Sequence, residues 1–307
     1  MNRFVAALGA ITLALGCIAP ALAYTDQENQ ELQIGQQVYQ QLQQKGEIIT
    51  SSPYYTTLNS IAARITPVAD QKYFVPFKFV LVHESQPNAF AVPGGNVYVT
   101  DSMMHFVQNK EELAGVLCHE VSHDIHHDVY NMYVKDQRLS LYATGLSLLL
   151  GGGRSQIANT LINFAANIQA LHFSRDVEHN ADYTGAYVCA QSGVDPYGMV
   201  WLMQHFEQQP SASPPEFLSD HPSDSHRVQS LQDEFAADPS TFARYNPDIA
   251  LATPVTSGGW HDQYRVSYRP QSAHHRVANV RSRGGIRHLA PVVARSKPAC
   301  PVTWKYC

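Results

Sequence analysis

Hydrophobic and polar positions follow two rhythms along this chain, and the switch between them outlines its elements. From Asp26 to Gln44 a Gln- and Glu-rich stretch carries Leu32, Val38, Tyr39 and Leu42 at helical spacing, which predicts a surface helix with one apolar stripe. Tyr55, Leu58, Ile61, Ala62 and Ile65 predict a second helix, ended by Pro67. The period then shortens. Phe77 to His83, Asn88 to Val92 and Asn96 to Thr100 are β-rich runs, the last two flanking the turn signal Pro93-Gly94-Gly95. From Thr100 the helical period returns. Thr100 or Asp101 is placed to cap a short helix to Val107, and Asn109 with Glu112 has capping-box spacing. The helix it opens carries Leu113, Val116, Leu117, His119 and His123 and is expected to continue to His127. An apolar hairpin broken at Gly151-Gly152-Gly153 follows, then a long helix from about Gln156 through Cys189, with Ser174-Arg175-Asp176 inside it or at a break. Helices over Tyr197–Gln208 and Ser225–Phe235 complete the order. The class is α+β, mostly helical, with a small sheet or hairpin flanking one polar helix.

Composition changes this picture at the two ends. Arg3 and the apolar run Phe4 to Ala19, followed by Ala21-Leu22-Ala23, read as a signal peptide over residues 1–23, cleaved before Tyr24. Export, most simply to a periplasm, and a soluble mature chain are the expectation. Leu15-Gly16-Cys17 resembles a lipoprotein box, but Ala14 and Leu15 suit it poorly, so anchoring through Cys17 is the weaker reading. Leu139 to Leu150 is apolar but about a dozen residues long, too short to span a bilayer. After residue 235 the composition turns to Pro, Ser and Arg. From Trp260 onward nine Lys/Arg face one acid, Asp262, so 236–307 reads as a basic, largely disordered extension able to touch anionic lipid or an acidic partner. The formal net charge of −5 over 307 residues gives no general pull toward nucleic acid. In an oxidising compartment Cys300 and Cys307 are placed for a local disulfide; Cys118 and Cys189 either pair or remain buried thiols.

The chemistry concentrates in His119-Glu120-Val121-Ser122-His123. Histidines four apart share one helix face, about 6 Å between Cβ atoms, so both imidazoles reach one tetrahedral Zn²⁺. Glu120 stands where a carboxylate takes a proton from a metal-bound water. A catalytic zinc needs a third protein ligand. His126 and His127 lie on the same straight helix and cannot bend round to the same ion. A metzincin pattern requires Gly at 126 and His at 129, where this chain has His126 and Val129. Glu178, in Glu178-His179-Asn180-Ala181-Asp182, is the better candidate. Asp182, one turn further on, is placed to accept the free N–H of a ligand histidine.

Four ordered blocks now carry a resemblance. They are Asn88 to Thr100, His119 to His123, Ser174 to Asp182 and His221-Pro222-Ser223-Asp224-Ser225-His226-Arg227-Val228. Together, over about residues 26–235, they are similar to the HtpX / CAAX prenyl endopeptidase family, family forty-eight of the metallopeptidases, in its soluble periplasmic branch. The resemblance implies a zincin-like (gluzincin) domain over 24–235, one Zn²⁺ per chain, ligands His119, His123 and Glu178, and Glu120 as general base. It draws attention to His221, able to reach the metal's open position or the oxyanion, and to Arg227, able to pair with a carboxylate near the site or stabilise that oxyanion. It also implies a substrate-facing hairpin with Asn88, Ala89, Phe90 and Ala91 along an extended peptide. The substrates implied are misfolded or unassembled envelope proteins, with an envelope or outer-membrane assembly partner. Two positions depart from the pattern: Asp176 stands where Glu is usual, and Asp128 where a histidine is frequent. A reading from a different class is a latent, zinc-bound chaperone or adaptor, closed by His221.

Overall fold

The computed structural model describes residues 24–149, 164, 168, 171–208, 216–221 and 225–255. The leader, the Cys300–Cys307 pair and the basic run from Trp260 lie outside these residues.

Helix α1 (Asp26–Lys45) starts at a closed capping box: Thr25 Oγ1 accepts from the Glu28 amide at 3.2 Å, and Glu28 Oε2 accepts from the Thr25 amide at 2.6 Å. Its buried stripe is Glu31, Ile34, Gly35, Val38 and Leu42, rotated from the expected one, so Tyr39 faces solvent. Helix α2 (Tyr54–Ala69) runs through Pro67 instead of ending there. The missing amide falls in the last turn, where buried Ile65 and Ala69 hold the helix against the core.

Strands β1 (Lys78–Val82), β2 (Ala89–Val92) and β3 (Asn96–Thr100) form one sheet in the order β1-β3-β2. β1 runs parallel to β3, with Lys78 beside Asn96, and β2 antiparallel to it, with Ala89 beside Val99. The hairpin turns on Gly94 and Gly95, whose φ angles of 92° and 79° only glycine adopts without strain. β3 is central, and β2, one of the two edge strands, lies against helix α4.

Thr100 caps helix α3 (Asp101–Phe106), and Asn109 caps α4 (Lys110–Ile125), accepting from the Glu112 amide at 2.7 Å. Glu112 reaches back one residue further than a standard box, to the amide of Gln108 at 2.7 Å. Every residue from Glu112 to Asp124 is buried, so α4 is the central helix although half its sequence is polar. It ends at Ile125, short of the expected His127, because His127 turns left-handed (φ 56°) and α5 (Asp128–Leu149) sets off in a new direction. Helix α6 (Arg175–Gln191) begins sharply at Ser174, whose side chain accepts from the Val177 amide, so Ser174-Arg175-Asp176 marks a break and not a helix interior; the stretch 156–163 lies outside the described residues. Helices α7 (Tyr197–Glu207), α8 (Glu216–Asp220), α9 (Ser225–Ala237) and α10 (Pro239–Phe242) follow. No helix among the described residues is long and apolar enough to cross a membrane.

The packed body runs past the expected boundary at 235. Phe242 and Val255 are buried, Lys110 donates its amide to the Thr253 carbonyl at 2.9 Å, and Trp201 Nε1 donates to the Pro247 carbonyl at 3.2 Å. A few apolar anchors in a polar stretch are enough to hold it there.

α4 is clasped by α6 and α7. Cys118 on α4 and Cys189 on α6 form a disulfide with Cα atoms 5.8 Å apart. On the α7 side the backbones touch through glycine: a Cβ on Gly198 would collide with the Glu111 carbonyl, and one on Gly115 would lie 2.5 Å from the Met199 nitrogen. Neither obstacle is a flexible side chain. Gly198→Ala is therefore expected to lower stability by about 1–3 kcal/mol, read as a shift in urea midpoint. An unchanged midpoint would mean that α7 slides freely over α4.

Candidate metal centre

α4 brings His119, Glu120 and His123 to one end of the core; α6 brings Glu178 and, one turn on, Asp182. His221 follows α8 directly, and three contacts fix its position. The Phe217 amide donates to the Pro87 carbonyl at 3.3 Å, the Phe173 amide to the Asp220 carbonyl at 3.4 Å, and Asn88 Nδ2 to Asp220 Oδ2 at 3.1 Å. Arg227 enters from α9.

These side chains converge. The Nε2 atoms of His119 and His123 lie 3.1 Å apart, and His221 Nδ1 is 3.2 Å from His119 Nε2. Glu178 Oε1 is 3.0 Å from His221 Nδ1 and 3.6 Å from His123 Nε2, while its Oε2 is 3.5 Å from His119 Nε2. One donor atom from each of the four falls within 4.8 Å of the others, and all four residues are buried.

Behind this group stands a second row of carboxylates. Asp182 Oδ1 lies 3.0 Å from His119 Nδ1, and Asp128 Oδ2 lies 2.9 Å from His123 Nδ1. With the Nδ1 side of each ring facing a carboxylate, the neutral tautomer that suits it keeps the proton there and turns the Nε2 lone pair inward. Two inward nitrogens 3.1 Å apart, beside a third imidazole and a carboxylate, need a cation among them, either a second proton on His119 or a metal ion that takes its place. The donor set therefore fits a divalent metal, and two imidazoles with a carboxylate suit zinc.

Arg227 takes the first of its two candidate roles. It donates from Nε and Nη2 to the two oxygens of Asp182, at 2.7 and 2.6 Å, its Nη1 is 2.7 Å from Glu178 Oε2, and it reaches the His221 carbonyl at 3.3 Å. Burial alone would raise the pKa of Asp182, but the guanidinium holds it below the usual range. Glu178 is likewise held low against its burial, by His221 and His119. Burial opposes a charge on His119, yet Asp182 and Glu178 outweigh it and push the imidazole up to about 10. Burial takes His221 down to about 4 and lifts Glu120 to about 8.

Glu120 Oε2 accepts from the amide of Ala91 at 2.9 Å, and its Oε1 is 3.5 Å from His221 Nε2. Asn88 to Ala91 thus border the centre but do not present a free edge. All four are buried, and the Ala89 amide donates to Asn88 Oδ1 at 2.8 Å. A narrow crevice with room for about one water reaches the centre here, lined by Phe90, Ala91, Glu120, His123, Phe173 and His221 among others. Phe173 stacks on His123, with ring centroids 4.3 Å apart. His126 and His127 face elsewhere: His126 Nε2 is 2.9 Å from Thr184 Oγ1, and His127 Nδ1 is 2.8 Å from Glu31 Oε1.

Sequence reasoning missed Asp128 as the partner of His123, having noted only that a histidine is frequent at its place. It missed Glu31 altogether. The signal was a carboxylate three residues before Ile34, in line with the apolar stripe of α1.

A buried group of histidines and a carboxylate with a further glutamate hydrogen-bonded beside it is the arrangement a metallopeptidase requires. Residues 56–235 match the model for peptidase family M48, and the chain belongs to that family. It is 28% identical over 243 residues to the beta-barrel assembly-enhancing protease of Escherichia coli K12, covering 71% of this chain and 49% of that one. The protein of the same name from Yersinia pestis is 31% identical over 204 residues, covering 63% and 41%. The mitochondrial metalloendopeptidase OMA1 of Schizosaccharomyces pombe is 26% identical over 210 residues, covering 66% and 60%. The chain thus spans about half the length of these curated relatives.

Removing the guanidinium leaves two buried carboxylates without their cation. Arg227→Ala is expected to cost about 3–5 kcal/mol in urea unfolding, and Arg227→Lys to recover only part of it because an ammonium lacks the fork. Full recovery by lysine would mean that charge alone matters.

Proposed function

We propose that this chain is a zinc-dependent metalloendopeptidase that cleaves unfolded or misfolded proteins of the cell envelope. The observation that carries this reading is the convergence of His119, His123 and Glu178 with Glu120 beside them, inside a buried site. His119, His123 and Glu178 would hold the zinc. When bound, the ion acts as a Lewis acid on the carbonyl and brings the pKa of a coordinated water toward roughly 7. Glu120 is the general base: it takes the proton of the attacking water and passes it to the leaving amine. The Ala91 amide fixes one carboxylate oxygen of Glu120 and leaves the other facing the crevice. Asp182 and Asp128 orient the two histidines, and Arg227 holds Asp182 and Glu178 in place. An extended peptide would lie beside Asn88, Ala89, Phe90 and Ala91; with the Ala89 and Ala91 amides engaged by Asn88 and Glu120, pairing there needs those contacts to open, and sequence preference would be broad. Export through the leader and the names of the bacterial relatives favour a periplasmic site of action and a partner in outer-membrane assembly. The basic stretch from Trp260 adds a peripheral membrane contact.

A specific observation favours a second reading of the resting state. His221 sits within the donor group and is buried, and Asp220 and Phe173 line the narrow crevice beside it. In this state the centre is latent, the chain binds clients with little turnover, and an arriving substrate displaces His221.

Cleavage of casein separates these. The wild-type chain is expected to cleave with one zinc bound, to lose activity to a chelator and to regain it with added zinc. Glu120→Gln should keep the metal and lose activity by about 10²–10⁴-fold. Equal cleavage by both proteins would sink the role of Glu120. If the resting centre is latent, His221→Ala raises basal cleavage; a fall would instead make His221 a participant in the reaction.

A further inference from the structure

Helix α1 lies wholly before the family-matching stretch, which starts at residue 56, yet it carries a buried carboxylate. Glu31 is 1% exposed and has three partners from three places in the chain. Gln27 Nε2 donates to its Oε1 at 2.9 Å, the Tyr73 hydroxyl donates to its Oε2, and His127 Nδ1 lies 2.8 Å from Oε1.

His127 has a positive φ, 56°, alone in this among the described non-glycine residues. A side chain keeps that conformation only where its surroundings fix it. The turn it makes is what joins α4 to α5: the His127 amide donates to the Asp124 carbonyl at 2.9 Å, and the His127 carbonyl accepts from the Asn131 amide at 2.8 Å. Asp128, the next residue, is thereby swung back toward α4, where its Oδ2 sits 2.9 Å from His123 Nδ1. Tyr73 extends the same cluster to the hairpin, accepting from the Gly94 amide at 3.0 Å.

We propose that Glu31 is a positioning residue for the metal centre, acting through His127 and the left-handed turn that holds Asp128 against His123. Helix α1 is then part of the centre's outer support and not merely a cover on the sheet. This rests on the reading of His123 as a metal ligand.

The test is zinc affinity of the full chain, measured by competition with a chromophoric chelator, with thermal unfolding of each variant alongside. Asp128→Ala is expected to weaken zinc binding by about 10–100-fold. Glu31→Ala and His127→Asn should each weaken it by about 5–10-fold, asparagine tolerating the left-handed turn while being too short to reach Glu31. Glu31→Gln keeps an acceptor oxygen and should bind within about threefold of wild type. Because Glu31 acts through Asp128, the pair Glu31→Ala with Asp128→Ala should bind no more weakly than Asp128→Ala alone. Tyr245→Phe, which removes a hydrogen bond to the Ala190 carbonyl far from this cluster, controls for general loss of stability and should leave zinc affinity unchanged. Should Glu31→Ala fail to fold, His127→Asn against Glu31→Gln carries the comparison. Wild-type affinity in His127→Asn and Glu31→Ala, or losses that multiply in full in the double variant, would overturn the inference while leaving the metal reading intact. Zinc binding that survives His123→Ala would overturn both.

Discussion

Two carboxylates one helical turn apart cannot be taken out of water unless something neutralises them, and Arg227 does this for Glu178 and Asp182 together. Much of the site's geometry follows from that pairing. It draws α9 back onto α6, although the two are far apart in sequence. It leaves Asp182 ionised against His119 Nδ1, and so sets the direction of that ring's other nitrogen. It also reaches the carbonyl of His221, tying the residue after α8 to the same cation. A single planar donor group thus ties together Glu178, Asp182 and the His221 carbonyl.

The second constraint is that a helix with half its residues polar lies at the middle of the core. α4 tolerates this because many of its buried polar groups meet partners: Glu120 from β2, His119 from α6, His123 from the start of α5, Glu112 from its own N-terminal cap, and Ser122 at the Cys118 carbonyl. The helix is held along its length by close packing as well. Glycines bring α7 to backbone contact, and the Cys118–Cys189 bridge joins α4 to α6 next to His119. Neighbours packed this closely keep the facing nitrogens at short range.

The edge strand β2 has two loyalties. Through Ala91 it restrains Glu120, and through Asn88 it restrains the Asp220–His221 segment.

Local features were legible in the amino-acid sequence because their causes are local. The caps at Thr100 and Asn109, the glycine turn at 94–95 and the pairing of two histidines on one face depend on residues within a turn or two of one another. The grouping of Glu178, Asp182 and His221 with them was legible only through the resemblance of ordered blocks. What spacing could not supply was decided by tertiary packing. Pro67 stays helical because Ile65 and Ala69 are anchored; α4 stops at Ile125 because His127 turns left-handed; the body continues to Val255 because a few apolar side chains find places in the core. The choice of Asp128 as partner for His123, and of Asp182 and Glu178 for Arg227, belongs to the same kind. Buried charges choose partners by distance in space, and a one-dimensional pattern carries no record of which remote groups will be brought within 3 Å.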